Sequence, residues 1–158
     1  MGTIDQFNKR KVLELIGKTK MIAVVRAGEP EKALKLGEAA VKAGVVSVEI
    51  TATVPSYDKV VAQLRAVFGN SAVVGVGSIL SVRQLEIALD AGAQFIVTPA
   101  VVKDMVIAYY LAKAVFIVGA LTPSEILYAE DMGADLVKVF PVNAVGGISY
   151  IRSILEPM

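Results

Sequence analysis

The sequence predicts an α/β fold in which parallel strands alternate with helices, most simply a (β/α)8 barrel of the TIM type. Hydrophobic residues make up 55% of the 158 residues and aromatic residues only 6%, a balance typical of parallel strands buried on both faces. Six short β-branched runs are each followed by a polar loop and a helical pattern. The runs start roughly 20 to 26 residues apart, which is the length of a compact strand plus its crossover helix.

The predicted elements follow one another along the chain without a linker. A polar amphipathic segment over residues 1–18 predicts an N-terminal helix before the first strand. The six predicted strands are 21–27, 47–53, 72–78, 95–100, 115–121 and 136–142. Because there is no break in composition, we expect a single domain over residues 1–158. That domain is incomplete at its C-terminus, since a closed barrel of this type needs eight strands.

One predicted helix, within residues 100–118, departs from the pattern because it is apolar nearly all round. The outer helices of a barrel normally present a polar face to solvent. Two interpretations stay open. The helix is buried against a neighbouring subunit, or it forms an additional protein–protein interface with Tyr109 or Tyr110 as an anchor. In the second case, charged substitutions at Val102 and Met105 are expected to change the assembly size.

Composition and charge exclude several classes of function. With 16 basic and 15 acidic residues, the chain has no cationic surplus for nucleic acid or an acidic membrane surface. It has no cysteine and no histidine, so we expect neither a metal site nor a histidine-based catalytic triad. The N-terminus does not resemble a signal peptide, and no apolar run has membrane-spanning length, which favours a cytoplasmic protein.

Polar residues lie at the predicted carboxyl ends of several strands, which is where barrel enzymes carry their active sites. Arg26 ends the first strand and Lys138 lies in the sixth. Alternation along the second strand places Glu49, Thr51 and Thr53 on one face. If that face and the face of Lys138 both point inward, one lysine and one glutamate meet in an otherwise aliphatic interior.

Lys138 is unusual because it stands between Val137 and Val139 in an apolar run. A buried ammonium without a partner is costly, so its placement needs a reason. A poorly solvated amine can attack a carbonyl and form a Schiff base, and Glu49 could then move protons directly or through a water. The alternative is that Lys138 and Glu49 form a buried ion pair that only fixes the barrel interior.

Several segments together resemble the 2-keto-3-deoxy-6-phosphogluconate (KDPG) and 4-hydroxy-2-oxoglutarate (KHG) aldolases. The segment "GADLVKVFPVNAVGG" resembles the lysine motif of this family, and "GVVSVEIT" resembles its glutamate motif. Further blocks match in the same order: "IAVVRA", "VGVGSI", "AGAQFIVTPA" and "GALTPSE". The resemblance runs from about residue 20 to the end of the sequence.

The resemblance implies a (β/α)8 barrel, usually a homotrimer, that works as a class I aldolase without a cofactor. Members of the family cleave KDPG to pyruvate and glyceraldehyde 3-phosphate, or 4-hydroxy-2-oxoglutarate to pyruvate and glyoxylate. By position, Lys138 would be the Schiff-base lysine and Glu49 the general acid and base. The expected partners are therefore small keto acids, namely pyruvate and a phosphorylated keto-deoxy sugar acid.

The resemblance also implies a set of substrate-binding residues: Arg26, Thr51, Thr53, Ser78, Pro99 and Phe140. Arg26 and Ser78 would lie around the pyruvate portion and its carboxylate, and Pro99 and Phe140 would form an apolar wall. The sequence departs from the family at two of these positions. Ser78 stands where threonine is usual, and Thr53 stands where many members carry arginine.

The family binds substrate phosphate with glycine-rich loops after its seventh and eighth strands, which this sequence does not contain. We therefore expect the sequence to be a fragment of a longer chain, and it does not indicate the preferred aldehyde. An alternative function is an aldolase-derived scaffold for self-assembly, with an added interface on 100–118 and little or no activity. A different phosphate-binding barrel enzyme, such as an isomerase, is a weaker option because it would not need Lys138 as a nucleophile.

Overall fold

In a computed structural model, which describes residues 9–105 and 113–157, six parallel strands form one sheet in the order of the sequence. The strands are β1 (Ala23–Val25), β2 (Ser47–Thr51), β3 (Val73–Gly77), β4 (Phe95–Val97), β5 (Val115–Ala120) and β6 (Leu136–Val139). The helices are α1 (Lys9–Thr19), α2 (Pro30–Lys42), α3 (Tyr57–Phe68), α4 (Val82–Asp90), α5 (Pro123–Asp131) and α6 (Ile148–Leu155). Short 3₁₀ turns cover Lys103–Met105 and Val142–Val145.

Local sequence signals account for where the helices begin and end. Proline occupies the first turn of α2 and of α5, where a backbone N–H would have no acceptor within the helix, so its absence loses no hydrogen bond. At the start of α5, the Thr122 hydroxyl accepts from the Glu125 N–H and the Glu125 carboxylate accepts from the Thr122 N–H. Together these bonds form a capping box. Each predicted strand contains an observed strand, and α1 overlaps the predicted N-terminal helix and ends one residue beyond it, at Thr19.

The core has two apolar layers, one on each side of the sheet. The outer layer lies between the outward faces of the strands and helices α2 to α5, with fully buried members such as Leu64 and Leu85. The inner layer lies within the curve of the sheet and is covered by α1. It comprises Val12 and Ile16 from α1 with Val73, Phe95, Val97, Val115 and Ile117 from the strands. Helix α1 therefore covers the inner face of the sheet.

The expected eight-stranded barrel is found only in part. Over the described residues the sheet stays open between β1 and β6, its two edge strands. Inward-facing side chains near these edges remain exposed, at 55% for Val24, 38% for Leu136 and 45% for Phe140. Inward-facing residues of the middle strands, such as Phe95 and Val115, are fully buried. The six predicted strands are thus confirmed, and described helices follow five of them, whereas a closed (β/α)8 barrel is not seen in the described residues.

An ion pair at the amino ends of the strands ties α1 to the start of β6. Lys9 Nζ lies 2.9 Å from Asp135 Oδ2, and the same oxygen accepts a hydrogen bond of 2.8 Å from the Phe116 N–H. The Lys9 ammonium also lies 5.8 Å from the centre of the Phe116 ring. One carboxylate therefore connects α1 with β5 at the approach to β6.

Removing this carboxylate should destabilise the fold. Asp135→Ala leaves the Phe116 N–H without its acceptor, so we expect the free energy of unfolding to fall by about 1–3 kcal/mol. Asp135→Asn keeps an acceptor oxygen but loses the charge, and should cost only about 0.2–1 kcal/mol because the ion pair is partly solvated. Urea denaturation measures both variants. Wild-type stability in Asp135→Ala would contradict the role assigned to this contact.

The predicted apolar helix of 100–118 lies partly outside the described residues, which leave out 106–112. Its described flanks differ from the expectation. Residues 103–105 form a 3₁₀ turn, and residues 115–118 belong to β5. Met105 is fully buried and Val102 packs against the outer core layer, so these two side chains do not form an outward interface. Charged substitutions at Val102 and Met105 would therefore test core packing and not an interface. Tyr109 and Tyr110 lie outside the described residues.

Candidate functional site

Glu49 and Lys138 meet inside the curve of the sheet, as the sequence predicts. Glu49 lies in the middle of β2 and Lys138 near the end of β6, on opposite sides of the open sheet. The Lys138 Nζ atom is 4.0 Å from the Glu49 Oε1 atom. Because three strands lie between β2 and β6 in the sheet order, only inward-facing side chains on a strongly curved sheet can bring Glu49 and Lys138 into contact. The pair therefore lies inside the curved sheet, near the carboxyl ends of the strands.

The Glu49 carboxylate is held in a poorly solvated place. Its side chain is only 4% exposed. Burial raises the pKa of the Glu49 carboxyl above its ordinary value of 4.5, and the positive charges of Lys138 and then Arg26 oppose this rise. A carboxyl with a raised pKa exchanges its proton closer to neutral pH, which suits a group that both takes and gives protons.

Lys138 is more accessible than the sequence suggests. Its side chain is 32% exposed, because β6 is an edge strand of the described sheet. The Phe140 ring lies beside it, with the ammonium 5.3 Å from the ring centre. A small molecule can therefore reach the amine from solvent while an aromatic face and a buried carboxylate flank it. Of the two residues in the predicted pair, Lys138 is the one that solvent can reach, whereas Glu49 is buried.

Arg26 and Ser78 lie together at the carboxyl ends of β1 and β3. The Arg26 Nη2 atom donates to the Ser78 Oγ atom at 3.5 Å, a long hydrogen bond that a better acceptor could replace. Ser78 has a positive φ of 60°, which a β-branched residue adopts less readily than serine. Arg26 is exposed at the rim, and its charge acts on Glu49. The structure thus places a fixed cation next to the Lys138–Glu49 pair.

The two threonines predicted on β2 lie on the same rim. Thr51 is fully buried and Thr53 is exposed just beyond the strand. Their hydroxyl oxygens are 2.8 Å apart, so one donates to the other. This pair of hydroxyls makes the surface beside Glu49 polar but uncharged. In the family that the sequence resembles, many members carry a cation at the position of Thr53.

Pro99 lies near the site because the chain after β4 packs against the backbone of β5. A Cβ atom built at Gly119 would overlap the Pro99 carbonyl group, so the chain after β4 lies directly against this glycine. Gly119 is the register partner of Lys138. The buried Thr98 hydroxyl accepts a hydrogen bond of 3.2 Å from the Gly119 N–H and holds this contact. Pro99 therefore lies one strand away from the lysine, and Thr98 is a supporting residue that sequence reasoning did not assign to the site.

Gly77 has a neighbour in the site that sequence reasoning did not identify. The G-x-G of "VGVGS" is weak evidence by itself, and the sequence favoured a packing role in which Gly75 and Gly77 relieve crowding in the barrel interior. In the structure, a Cβ atom at Gly77 would overlap the Glu49 carboxylate. The signal was present in the sequence as a glycine inside a strand, but the register of β2 against β3 was needed to interpret it.

The described residues offer neither a metal-binding cluster nor a membrane-spanning helix. Across 9–105 and 113–157, no group of three or more Asp, Glu, His or Cys side chains could hold a metal ion. No helix in this part of the chain is long and apolar enough to cross a membrane.

Known proteins resemble this chain in sequence over most of its length. Residues 12–158 match the family model described as KDPG and KHG aldolase. The "KHG/KDPG aldolase" of Escherichia coli K12 is 30% identical over 138 residues, which are 87% of this chain and 64% of that protein. The "2-dehydro-3-deoxy-phosphogluconate aldolase" of Zymomonas mobilis is 30% identical over 118 residues, which are 75% of this chain and 56% of that protein.

Among solved structures, a KDPG aldolase from Legionella pneumophila superposes with a TM-score of 0.77 at 30% identity. The superposition covers 84% of this chain and 64% of that one, and that structure captured pyruvate as a covalent carbinolamine intermediate. The chain thus spans less than two thirds of the length of each of these three proteins. The family match over residues 12–158 includes the six strands and every site residue described above.

Proposed function

Because the chain belongs to the KDPG and KHG aldolase family, we propose that it works as a class I aldolase that forms an imine between Lys138 and a 2-oxo acid. The observation that carries this proposal is the 4.0 Å contact between the Lys138 amine and the buried Glu49 carboxylate. The carbinolamine captured in the related Legionella enzyme supports it. The proposed substrates are KDPG and 4-hydroxy-2-oxoglutarate, each of which would release pyruvate.

In the proposed reaction, the neutral Lys138 amine adds to the keto carbon and gives a carbinolamine. Loss of water produces an iminium, which accepts the electron pair of the adjacent carbon–carbon bond as that bond breaks. Glu49 takes the proton of the substrate hydroxyl, so that the aldehyde leaves. The protonated Glu49 then returns this proton to the enamine carbon, and water releases pyruvate from the lysine.

The surrounding residues have separate proposed roles. Arg26 and Ser78 would bind the carboxylate of the keto acid. Pro99 and Phe140 would border its apolar methyl side. Thr51 and Thr53 would offer hydroxyls to the distal part of the substrate.

Pyruvate release tests the proposed function directly. The chain is incubated separately with KDPG and with 4-hydroxy-2-oxoglutarate, and pyruvate is followed by proton NMR. Release from at least one of the two is expected. A folded sample that releases none from either, and forms no adduct with pyruvate itself, would contradict the aldolase and leave the ion pair as a structural feature.

The comparisons favour the aldolase over the scaffold alternative. The family model covers residues 12–158, and the relatives described above carry enzyme names. The described residues of 100–118 that were expected to face a partner, Val102 and Met105, pack into the core. A homotrimer remains a prediction from the family.

Replacing Arg26 should weaken keto-acid binding selectively. Arg26→Met removes a charge-assisted hydrogen bond to the carboxylate, and the apparent affinity for pyruvate should fall by about 10- to 100-fold. The measurement is the pyruvate concentration that half-saturates borohydride trapping. The neutral ester methyl pyruvate should be trapped equally well by wild type and Arg26→Met. The exposed Arg83 of α4 provides the matched control Arg83→Met. An equal loss of pyruvate affinity in that variant would contradict a specific role for Arg26 in binding the carboxylate.

A further inference from the structure

Gly77 lies at the end of buried strand β3 without a backbone reason to be glycine. Its φ is outside the left-handed region, unlike the glycines at 44, 69, 92 and 133 that follow helices. Glycine inside a strand also costs stability, because it adds chain entropy in the unfolded state and packs no side chain. The reason for glycine at this position must therefore lie in the space around it.

That space is occupied by the Glu49 carboxylate. A Cβ atom built at Gly77 would overlap the Glu49 Oε1 and Cδ atoms and would come within 2.8 Å of Cγ. The register partner of Gly77 on β2 is Thr51, two residues beyond Glu49. The glutamate side chain therefore leans along the sheet toward the carboxyl ends of the strands and lies over Gly77, where Lys138 contacts it.

We propose that Gly77 is a positioning residue for the proposed reaction: its missing side chain leaves the volume from which the Glu49 carboxylate reaches Lys138. Any larger residue at 77 would push the carboxylate away from the amine or out of its buried place. The proposal rests on the proposed function for its catalytic meaning, but the geometric claim stands apart from it.

Gly75, in the same strand, has a different neighbour from Gly77. A Cβ atom at Gly75 would overlap the ring and the carbonyl oxygen of Phe95, which belongs to the inner core layer. Gly75→Ala therefore directs its methyl group against Phe95 and not against the Glu49 carboxylate, although Gly75 is the register partner of Glu49 in the sheet. It is the matched control for Gly77→Ala.

The first test follows the titration of Glu49 by carbon NMR of carboxyl-labelled glutamate. Burial raises the pKa of this carboxyl in the wild type, so displacement toward solvent should return it toward 4.5 in Gly77→Ala. Gly75→Ala should leave it raised. An unchanged Glu49 titration in Gly77→Ala would overturn the proposal.

The second test is a double-mutant cycle in urea with Gly77→Ala, Glu49→Ala and the double variant. Since the three atoms nearest to the new methyl group all belong to Glu49, the effect of Gly77→Ala on the unfolding equilibrium should differ by about 10-fold between the wild-type and Glu49→Ala backgrounds. If Gly77→Ala fails to fold, the double variant should fold. Equal effects in both backgrounds, or a double variant that also fails to fold, would overturn the proposal.

The third test links the position to the chemistry. Exchange of the pyruvate methyl protons for deuterium, which needs a base beside the imine, should slow by about 100-fold in Gly77→Ala. Trapping of pyruvate at Lys138 should remain, and exchange in Gly75→Ala should stay close to wild type. A wild type that neither traps nor exchanges would defeat the proposed function alone, since the titration and the double-mutant cycle would still decide the role of Gly77.

Discussion

Lys138→Met is expected to abolish covalent capture of pyruvate. In the wild type, borohydride should reduce the imine and leave one 1-carboxyethyl group, derived from pyruvate, on the protein, because the Lys138 amine is partly accessible and flanked by Glu49 and Phe140. Methionine is close to lysine in length but has no amine, so no imine can form there. Mass spectrometry of the intact protein after treatment with pyruvate and borohydride measures the result.

A second lysine provides the control for Lys138→Met. Lys103 is exposed, and its ammonium lies 5.9 Å from the centre of the Tyr128 ring, outside the candidate site. Lys103→Met should trap pyruvate as the wild type does. Circular dichroism establishes that both variants are folded. Capture that persists in folded Lys138→Met would assign the chemistry to another amine.

Glu49→Gln is expected to separate imine formation from proton transfer. The Lys138 amine is intact in this variant, so pyruvate should still be trapped. Deuterium exchange at the pyruvate methyl group should slow by about 100-fold or more, because glutamine cannot accept the proton. In the wild type, exchange should speed up as pH rises through the raised pKa of Glu49, and this dependence should vanish in Glu49→Gln. Wild-type exchange in the variant would exclude Glu49 as the base.

The same substitution should change how stability depends on pH. The folded chain raises the pKa of Glu49, so it holds this proton to higher pH than the unfolded chain does. The contribution of Glu49 to stability is therefore present at low pH and is lost as pH rises through the folded pKa. Urea denaturation should show Glu49→Gln gaining stability relative to wild type between pH 4 and pH 8. A constant difference over that range would mean that the pKa is not raised.

The sequence predicted most of the fold because its signals are local. Each β-branched run contains a strand, and Pro30, Pro123 and the Thr122–Glu125 pair are local signals that mark the starts of α2 and α5. Where tertiary context decides, the prediction was less accurate. The apolar run around Lys138 was expected to keep its amine poorly solvated, but β6 is a short edge strand of the described sheet, which leaves Leu136 and Lys138 partly exposed.

The contact between Glu49 and Lys138 could be anticipated from the sequence, but the geometry around it could not. Alternation grouped residues on one face of each strand, and a contact was expected if both faces pointed inward, which is the arrangement in the structure. No sequence pattern could indicate that the Glu49 carboxylate fills the space above Gly77, because that depends on the register of β2 against β3. The left-handed backbone of Ser78 and the support of Gly119 by Thr98 likewise depend on contacts between neighbouring strands.

The most direct test of the account is the location of the trapped group in the wild-type chain. The protein is treated with pyruvate and borohydride, digested, and mapped by tandem mass spectrometry. The account predicts a single 1-carboxyethyl group on Lys138. A folded sample with no modification, or with the group on a different lysine, would contradict it.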